Sequence, residues 1–271
     1  MDWPDYQFLD SGNQARLERF GNIVLSRPET SATHAPPLQE QEWVNADATY
    51  KDGQGWEKRP GFPGAWEIQF ASLTFRLSTA PKNKHIGLFP EQALQWQWFL
   101  DNPVNGTPKL LNLFGHTGAA TLAAAKAGYH ATHVDASKPA IHQARENQSL
   151  SNLQDAPIRW IHEDAVTWVD RETKRSSKYN AILLDPPTFG RGPKGQVWKN
   201  ERDLPILLRK LLPLLDPAAP HFILLNHYTS TPPQLPESPV PYQLVTGQHT
   251  LTPKLGPDLT PAKWYRLDFM G

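Results

Sequence analysis

The chain has 271 residues, with 27 basic and 27 acidic side chains, 10 His and no Cys, a length that suits one large domain or one domain with an appendage. A hydrophobic share of 39% excludes a disordered chain, and the absence of any apolar run near the ~20 residues that cross a bilayer excludes a helical membrane protein. Without Cys there is no disulfide, thiolate metal site or thiolate nucleophile, and with zero net charge a polyanion must be met by a local patch rather than by bulk attraction.

The first five residues, Met1-Asp2-Trp3-Pro4-Asp5, lack the basic start and apolar stretch of a secretory leader, so a cytoplasmic location is expected. Up to about Pro90 the signals are short strands and turns. They include residues 22–25, a glycine turn at Gly53 and Gly55, and a hairpin in which Trp66, Ile68, Phe70, Leu73, Phe75 and Leu77 alternate with polar residues about a turn at Ala71-Ser72. Residues 1–80 therefore read as a β-rich appendage, and residues 81–271 as the main domain. Pro90 stands where a first helical residue would, ahead of a predicted helix over 91–100 carrying Trp96 and Trp98. Two positions apart, those rings lie on different helix faces and suit packing.

From residue 109 strands alternate with helices. An apolar run over 110–114 leads through Gly115-His116-Thr117-Gly118 into an alanine-rich helix over 119–127. Strands are predicted at 131–135, 158–162, 181–184 and 221–226, and helices at 138–150, 164–174 and 203–215. Such alternation implies a parallel sheet with right-handed crossovers. Five prolines between 231 and 241 forbid the next crossover helix, and residues 242–250 and 263–269 read as two closing strands.

Ligands of open α/β sheets bind beyond the carboxyl ends of the strands. Gly115 and Gly118 there let backbone amides at a helix start approach a ligand. Asp135 ends the second strand 20 residues after Gly115, where a carboxylate can accept both ribose hydroxyls, although it could equally cap the next helix. Asp164 could hold an adenine amino group or serve as an N-cap. These features leave dinucleotides and S-adenosylmethionine equally suited. Asp185-Pro186-Pro187-Thr188-Phe189 separates them. Two prolines at the end of a buried strand give up ladder donors and make a stiff turn. The Asp185 carboxylate and the Pro186 carbonyl can then orient a nitrogen nucleophile, with Phe189 free to stack on a planar base. A nicotinamide oxidoreductase has no use for that turn.

Five segments carry a resemblance: residues 87–92 (Gly-Leu-Phe-Pro-Glu-Gln), 111–118 (Leu-Asn-Leu-Phe-Gly-His-Thr-Gly), 134–137 (Val-Asp-Ala-Ser), 162–165 (His-Glu-Asp-Ala) and 185–189. In order and spacing, residues 84–269 resemble class I S-adenosylmethionine-dependent methyltransferases, and most closely the bacterial large-subunit ribosomal RNA enzymes that modify cytosine C5 or guanine N7. The resemblance implies an α/β fold with a Rossmann-like, mostly parallel sheet whose last strand is antiparallel. It also implies S-adenosylmethionine as cofactor and ribosomal RNA as partner, with no metal and no membrane. In its terms Phe114, Gly115, Thr117 and Gly118 line the methionine and ribose part, Asp135 and Ala136 lie at the ribose, Asp164 and Ala165 lie at adenine, and Asp185 sits beside the transferable methyl. Where the family often has Asp-Gln-Arg, this chain has Glu91-Gln92-Ala93. With no Cys for the thiolate route to cytosine C5, a nitrogen acceptor is expected. The stretch 190–199 reads as a flexible basic loop, whose Arg191, Lys194 and Lys199 would grip phosphate and whose Trp198 would stack a base. A protein or small-molecule nitrogen remains the alternative acceptor, in view of the neutral net charge. His130 and His133, three apart on a strand, point to opposite faces and do not form a metal pair.

Overall fold

The computed structural model describes residues 3–192, 195–218 and 221–269. Lys194 lies outside the described residues. The chain forms two compact units: Met1–Leu94 together with His249–Pro261, and Gln95–Gln248 together with Ala262–Gly271.

In the first unit, β1 (Tyr6–Gly12), β2 (Ala15–Phe20), β3 (Ile23–Pro28), β4 (Ala48–Lys51) and β5 (Gly55–Lys58) make a sheet in chain order, with the short helix α1 (Glu40–Val44) between β3 and β4. A separate hairpin, β6 (Ala65–Phe70) with β7 (Leu73–Ser78), pairs Ile68 with Phe75 and Phe70 with Leu73. This is the register that the alternation predicts, and Ala71 turns the chain at φ 50°.

Strands β1 and β2 escape a hydropathy reading because part of what they bury is charged. Glu18 is fully buried and is shared by two guanidiniums, with Arg16 Nε at 3.2 Å and Arg27 Nε at 3.0 Å. The Tyr6 hydroxyl donates to its other oxygen at 3.0 Å. Glu91 stands 3.7 Å from Arg16, so an arginine distant in sequence faces the Glu-Gln segment. Burial pushes the Glu18 carboxyl up, but Arg16 and Arg27 outweigh it and hold the pKa below the ordinary range. At Glu91 burial prevails and the pKa is raised.

A 3₁₀ turn (Pro90–Gln92) belongs to the first unit, and α2 (Ala93–Asp101), which follows it, lies mostly in the second. Then come β8 (Lys109–Leu113), α3 (Ala119–Lys126), β9 (His130–Asp135), α4 (Lys138–Leu150), β10 (Ile158–His162), α5 (Ala165–Lys174) and β11 (Ala181–Leu184). After a small hairpin, β12 (Phe189–Arg191) and β13 (Val197–Lys199), follow α6 (Asn200–Leu211), β14 (His221–His227), β15 (Tyr242–Leu251) and β16 (Leu259–Phe269). The sheet order is β10-β9-β8-β11-β14-β16-β15. Strands β8 to β11 and β14 run parallel, and the last strand, β16, is antiparallel to β14. Buried on both faces, the central strands are near-continuous apolar runs. Leu111, Leu113, Ile182, Leu184 and Ile223 pack against Val169 of α5 and Leu204, Leu207, Leu208 and Leu211 of α6.

Several elements differ from expectation, among them β16, which starts at Leu259 instead of residue 263. Helix α6 runs from Asn200 to Leu211 instead of over 203–215, with the Asn200 N–H taken by the Thr188 carbonyl at 3.0 Å and Pro205 inside the helix. The expected flexible loop at 190–199 is partly ordered, with Phe189 paired to Lys199 and Arg191 to Val197. Among the described residues no helix is long and apolar enough to cross a membrane, and no group of three or more metal-binding side chains occurs.

Candidate active site

The chain steps outward from β8 through β9 to β10, then returns to lay β11 on the other side of β8. The reversal opens a crevice at the carboxyl ends of β8 and β11, where an open sheet can hold a ligand. The loop 114–118 leaves β8 there, and Asp185 leaves β11.

Loop 114–118 is tightly determined. Phe114, His116 and Gly118 all take positive φ, at 57°, 51° and 88°, and for the two non-glycine residues that backbone costs about 1–2 kcal/mol each. A Cβ on Gly115 would collide with the ring of His133, and one on Gly118 would press on Ala144 and Trp160. Thr117 is buried, and its carbonyl accepts from Asn147 Nδ2 at 3.0 Å.

Both oxygens of Asp135 already accept backbone N–H groups: Oδ2 from His116 at 2.8 Å and Oδ1 from Ser137 at 2.7 Å. Helix α4 is capped by Ser137, which accepts from Ala140, so the capping role weighed for Asp135 falls to the serine two residues on. The remaining lone pairs of the oriented carboxylate suit a diol. Beside it, the Ala136 carbonyl takes a 3.0 Å bond from His162 Nε2. Asp164 does cap its helix, with Oδ1 accepting from the Thr167 N–H at 2.9 Å and hydroxyl at 3.0 Å. Its Oδ2 faces Gly192, and Ala165 is buried behind it. A stripped, positive-φ loop followed by two carboxylates on successive strands fits an adenosine-bearing cofactor with a sugar diol and an exocyclic amine.

Across the crevice, Asp185 is half-buried and its N–H reaches the Leu113 carbonyl at 3.3 Å. The turn after it is braced from several sides. Pro186 is buried, the Pro187 carbonyl accepts from Trp198 Nε1 at 2.8 Å, and the Thr188 carbonyl caps onto Asn200. Asn200 in turn makes a long 3.5 Å contact through Nδ2 to His227 Nδ1. Phe189 projects from this turn, 54% exposed.

Trp198 departs from expectation. Its indole is buried and packs on Phe114 at 5.0 Å between centroids, so it ties the loop after β8 to the turn after β11 and has no free face for a base. Arg191 and Lys199 are exposed on the hairpin. Beneath loop 114–118, Asn112, Thr121 and His133 form a buried chain of hydrogen bonds. Sequence reasoning missed Asn112, Thr121 and Asn200, and for His133 it expected a solvent or core role. The available signal was polarity inside otherwise apolar runs, as with Asn112 among leucines and Thr121 among alanines.

The profile of the S-adenosylmethionine-dependent methyltransferase family matches residues 31–244. A crystal structure of an S-adenosylmethionine-dependent methyltransferase from Agrobacterium tumefaciens is 34% identical, with a TM-score of 0.88 over 98% of this chain and 91% of that one. A crystal structure complexed with SAH shares the fold at 16% identity, TM-score 0.75, over 97% of this chain and 75% of that one. Ribosomal RNA large subunit methyltransferase K/L of Shewanella frigidimarina is 36% identical over 110 residues, 40% of this chain but only 15% of that protein. The crevice and these likenesses agree: the chain belongs to the S-adenosylmethionine-dependent methyltransferases and takes S-adenosylmethionine as its cofactor.

Proposed function

We propose that this enzyme methylates a base nitrogen in RNA, with large-subunit ribosomal RNA as the substrate. The observation that carries the reading is the Asp185-Pro186-Pro187-Thr188-Phe189 turn, which sits on the crevice and is braced by Trp198 and Asn200. The ribosomal choice is supported by the Shewanella relative, whose name gives that substrate.

Phe114, Gly115, Thr117 and Gly118 would cradle the methionine and ribose part, Asp135 with Ala136 the sugar, and Asp164 with Ala165 the adenine. Bound S-adenosylmethionine supplies a methyl group made electrophilic by a cationic sulfonium. Asp185 and the Pro186 carbonyl accept hydrogen bonds from the nitrogen nucleophile, which aims its lone pair and stabilises the positive charge that grows on it. Phe189 stacks on the base, and its exposure leaves it open to do so. Arg191 and Lys199 on the hairpin, with Lys194 between them in sequence, contact phosphate.

Asp185→Ala is the direct test. Transfer of labelled methyl to ribosomal RNA should fall at least about a hundredfold, while calorimetric affinity for S-adenosylmethionine stays within a few-fold. Full activity in that variant refutes the acceptor role. Because net charge is zero, a protein or small-molecule nitrogen is the second reading. Label appearing in protein but not in RNA selects it.

A further inference from the structure

Loop 114–118 holds a backbone that its sequence does not favour, since Phe114 and His116 both take positive φ. Something must hold it there. The side chain directly beneath Gly115 is His133, fully buried on the neighbouring strand β9, whose Cε1 and Nδ1 are the atoms nearest to where a Gly115 Cβ would stand. The ring also lies against the His116 backbone and packs on Trp160 at 4.7 Å. It is held by a hydrogen bond between Nδ1 and Thr121 Oγ1 at 2.8 Å, and Thr121 Oγ1 accepts from Asn112 Nδ2 at 2.9 Å. The three residues come from β9, α3 and β8, the elements that flank the loop or lie beside it.

We propose that His133 is a positioning residue for cofactor binding: its ring, pinned by Thr121 and Asn112, is the floor on which loop 114–118 rests in its binding geometry before S-adenosylmethionine arrives. The proposal rests on the reading of this loop as the cofactor cradle. It accounts for two otherwise unconnected features, a glycine at 115 where the ring leaves no room for a Cβ and a polar chain buried among apolar strands. Burial favours the neutral imidazole, so the floor adds no charge beneath loop 114–118.

The test is calorimetric titration with S-adenosylmethionine, alongside thermal melts, of Thr121→Val, Thr121→Ser, His133→Asn and Asp135→Ala. Thr121→Val keeps the shape and removes the hydroxyl; it should weaken binding by about tenfold, the scale of one buried hydrogen bond. Thr121→Ser restores the hydroxyl and should restore affinity. His133→Asn empties the floor and should weaken binding at least as much as Thr121→Val. A purely architectural role would reduce the folded fraction, and with it the titrated stoichiometry, leaving Kd unchanged. Unaltered Kd in either Thr121→Val or His133→Asn, with Asp135→Ala impaired, overturns the proposal and leaves the cradle standing. Unaltered Kd in Asp135→Ala as well overturns both. Should Thr121→Val fail to fold, His133→Asn decides alone.

Discussion

The N-terminal unit and the loop region of the second unit both bury polar groups, but in opposite ways. Between β2 and β3 the buried groups are charged, with Glu18 between Arg16 and Arg27 and Glu91 against Arg16. Beneath loop 114–118 they are neutral, an amide, a hydroxyl and an imidazole in series. A buried group that loses its partner keeps its desolvation penalty, which is about 3–5 kcal/mol for a charge and about 1–3 kcal/mol for a neutral polar group. The first arrangement therefore makes a unit that resists partial rearrangement, and the second holds a loop at small energetic stakes.

Glu18→Ala should break the comparison most sharply. It takes from the buried Arg27 its carboxylate and leaves Arg16 with the longer contacts to Glu91 and Glu29, and a loss of about 3–5 kcal/mol is expected in urea denaturation. Thr121→Val should cost about 1–2 kcal/mol in the same measurement. Equal costs would mean that the charged cluster is hydrated in solution.

Lowering the pH sharpens the contrast in a second way. Burial pushes His133 down to about 3 and His249 down to about 4. The unfolded chain, with histidines near ~6.5, therefore binds more protons than the folded one between about pH 6.5 and those values. Stability should fall with decreasing pH across that window, by up to about 1.4 kcal/mol per pH unit for each histidine. The depressed Glu18 acts in the same direction at lower pH, where protonation removes its contribution, while the raised Glu91 acts against it. Denaturation midpoints that stay flat from pH 7 to 5 would show that neither imidazole is held neutral.

The smallest expected effect concerns Trp198, which touches both walls of the crevice. Trp198→Phe keeps a ring against Phe114 and loses the bond to the Pro187 carbonyl. Transfer to ribosomal RNA, as kcat/KM, should drop about tenfold while cofactor affinity moves little. An equal loss in both would mean that the indole serves the cofactor loop alone.

Much of this molecule was legible from its residues in order. The alternation of strand and helix from β8 to β14, the glycine loop, Asp135, Asp164 and the stiff turn at Asp185 all follow from local periodicity and from prolines and glycines whose backbone demands are local. The β6–β7 hairpin was equally plain, because its polar and apolar residues alternate.

Other features were decided only when distant segments met. Strands β1 and β2 carry buried charges that a hydropathy pattern reads as surface; Glu18 becomes tolerable inside when β2 and β3 bring Arg16 and Arg27 to it, and Glu91 when the fold brings it to Arg16 from 75 residues away. Trp198 has the composition of a base-stacking ring, yet the folded chain spends it on Phe114 and Pro187. Neighbouring residues along the chain can dictate a turn or a period, but whether a polar side chain is satisfied in the interior depends on what tertiary packing brings opposite it.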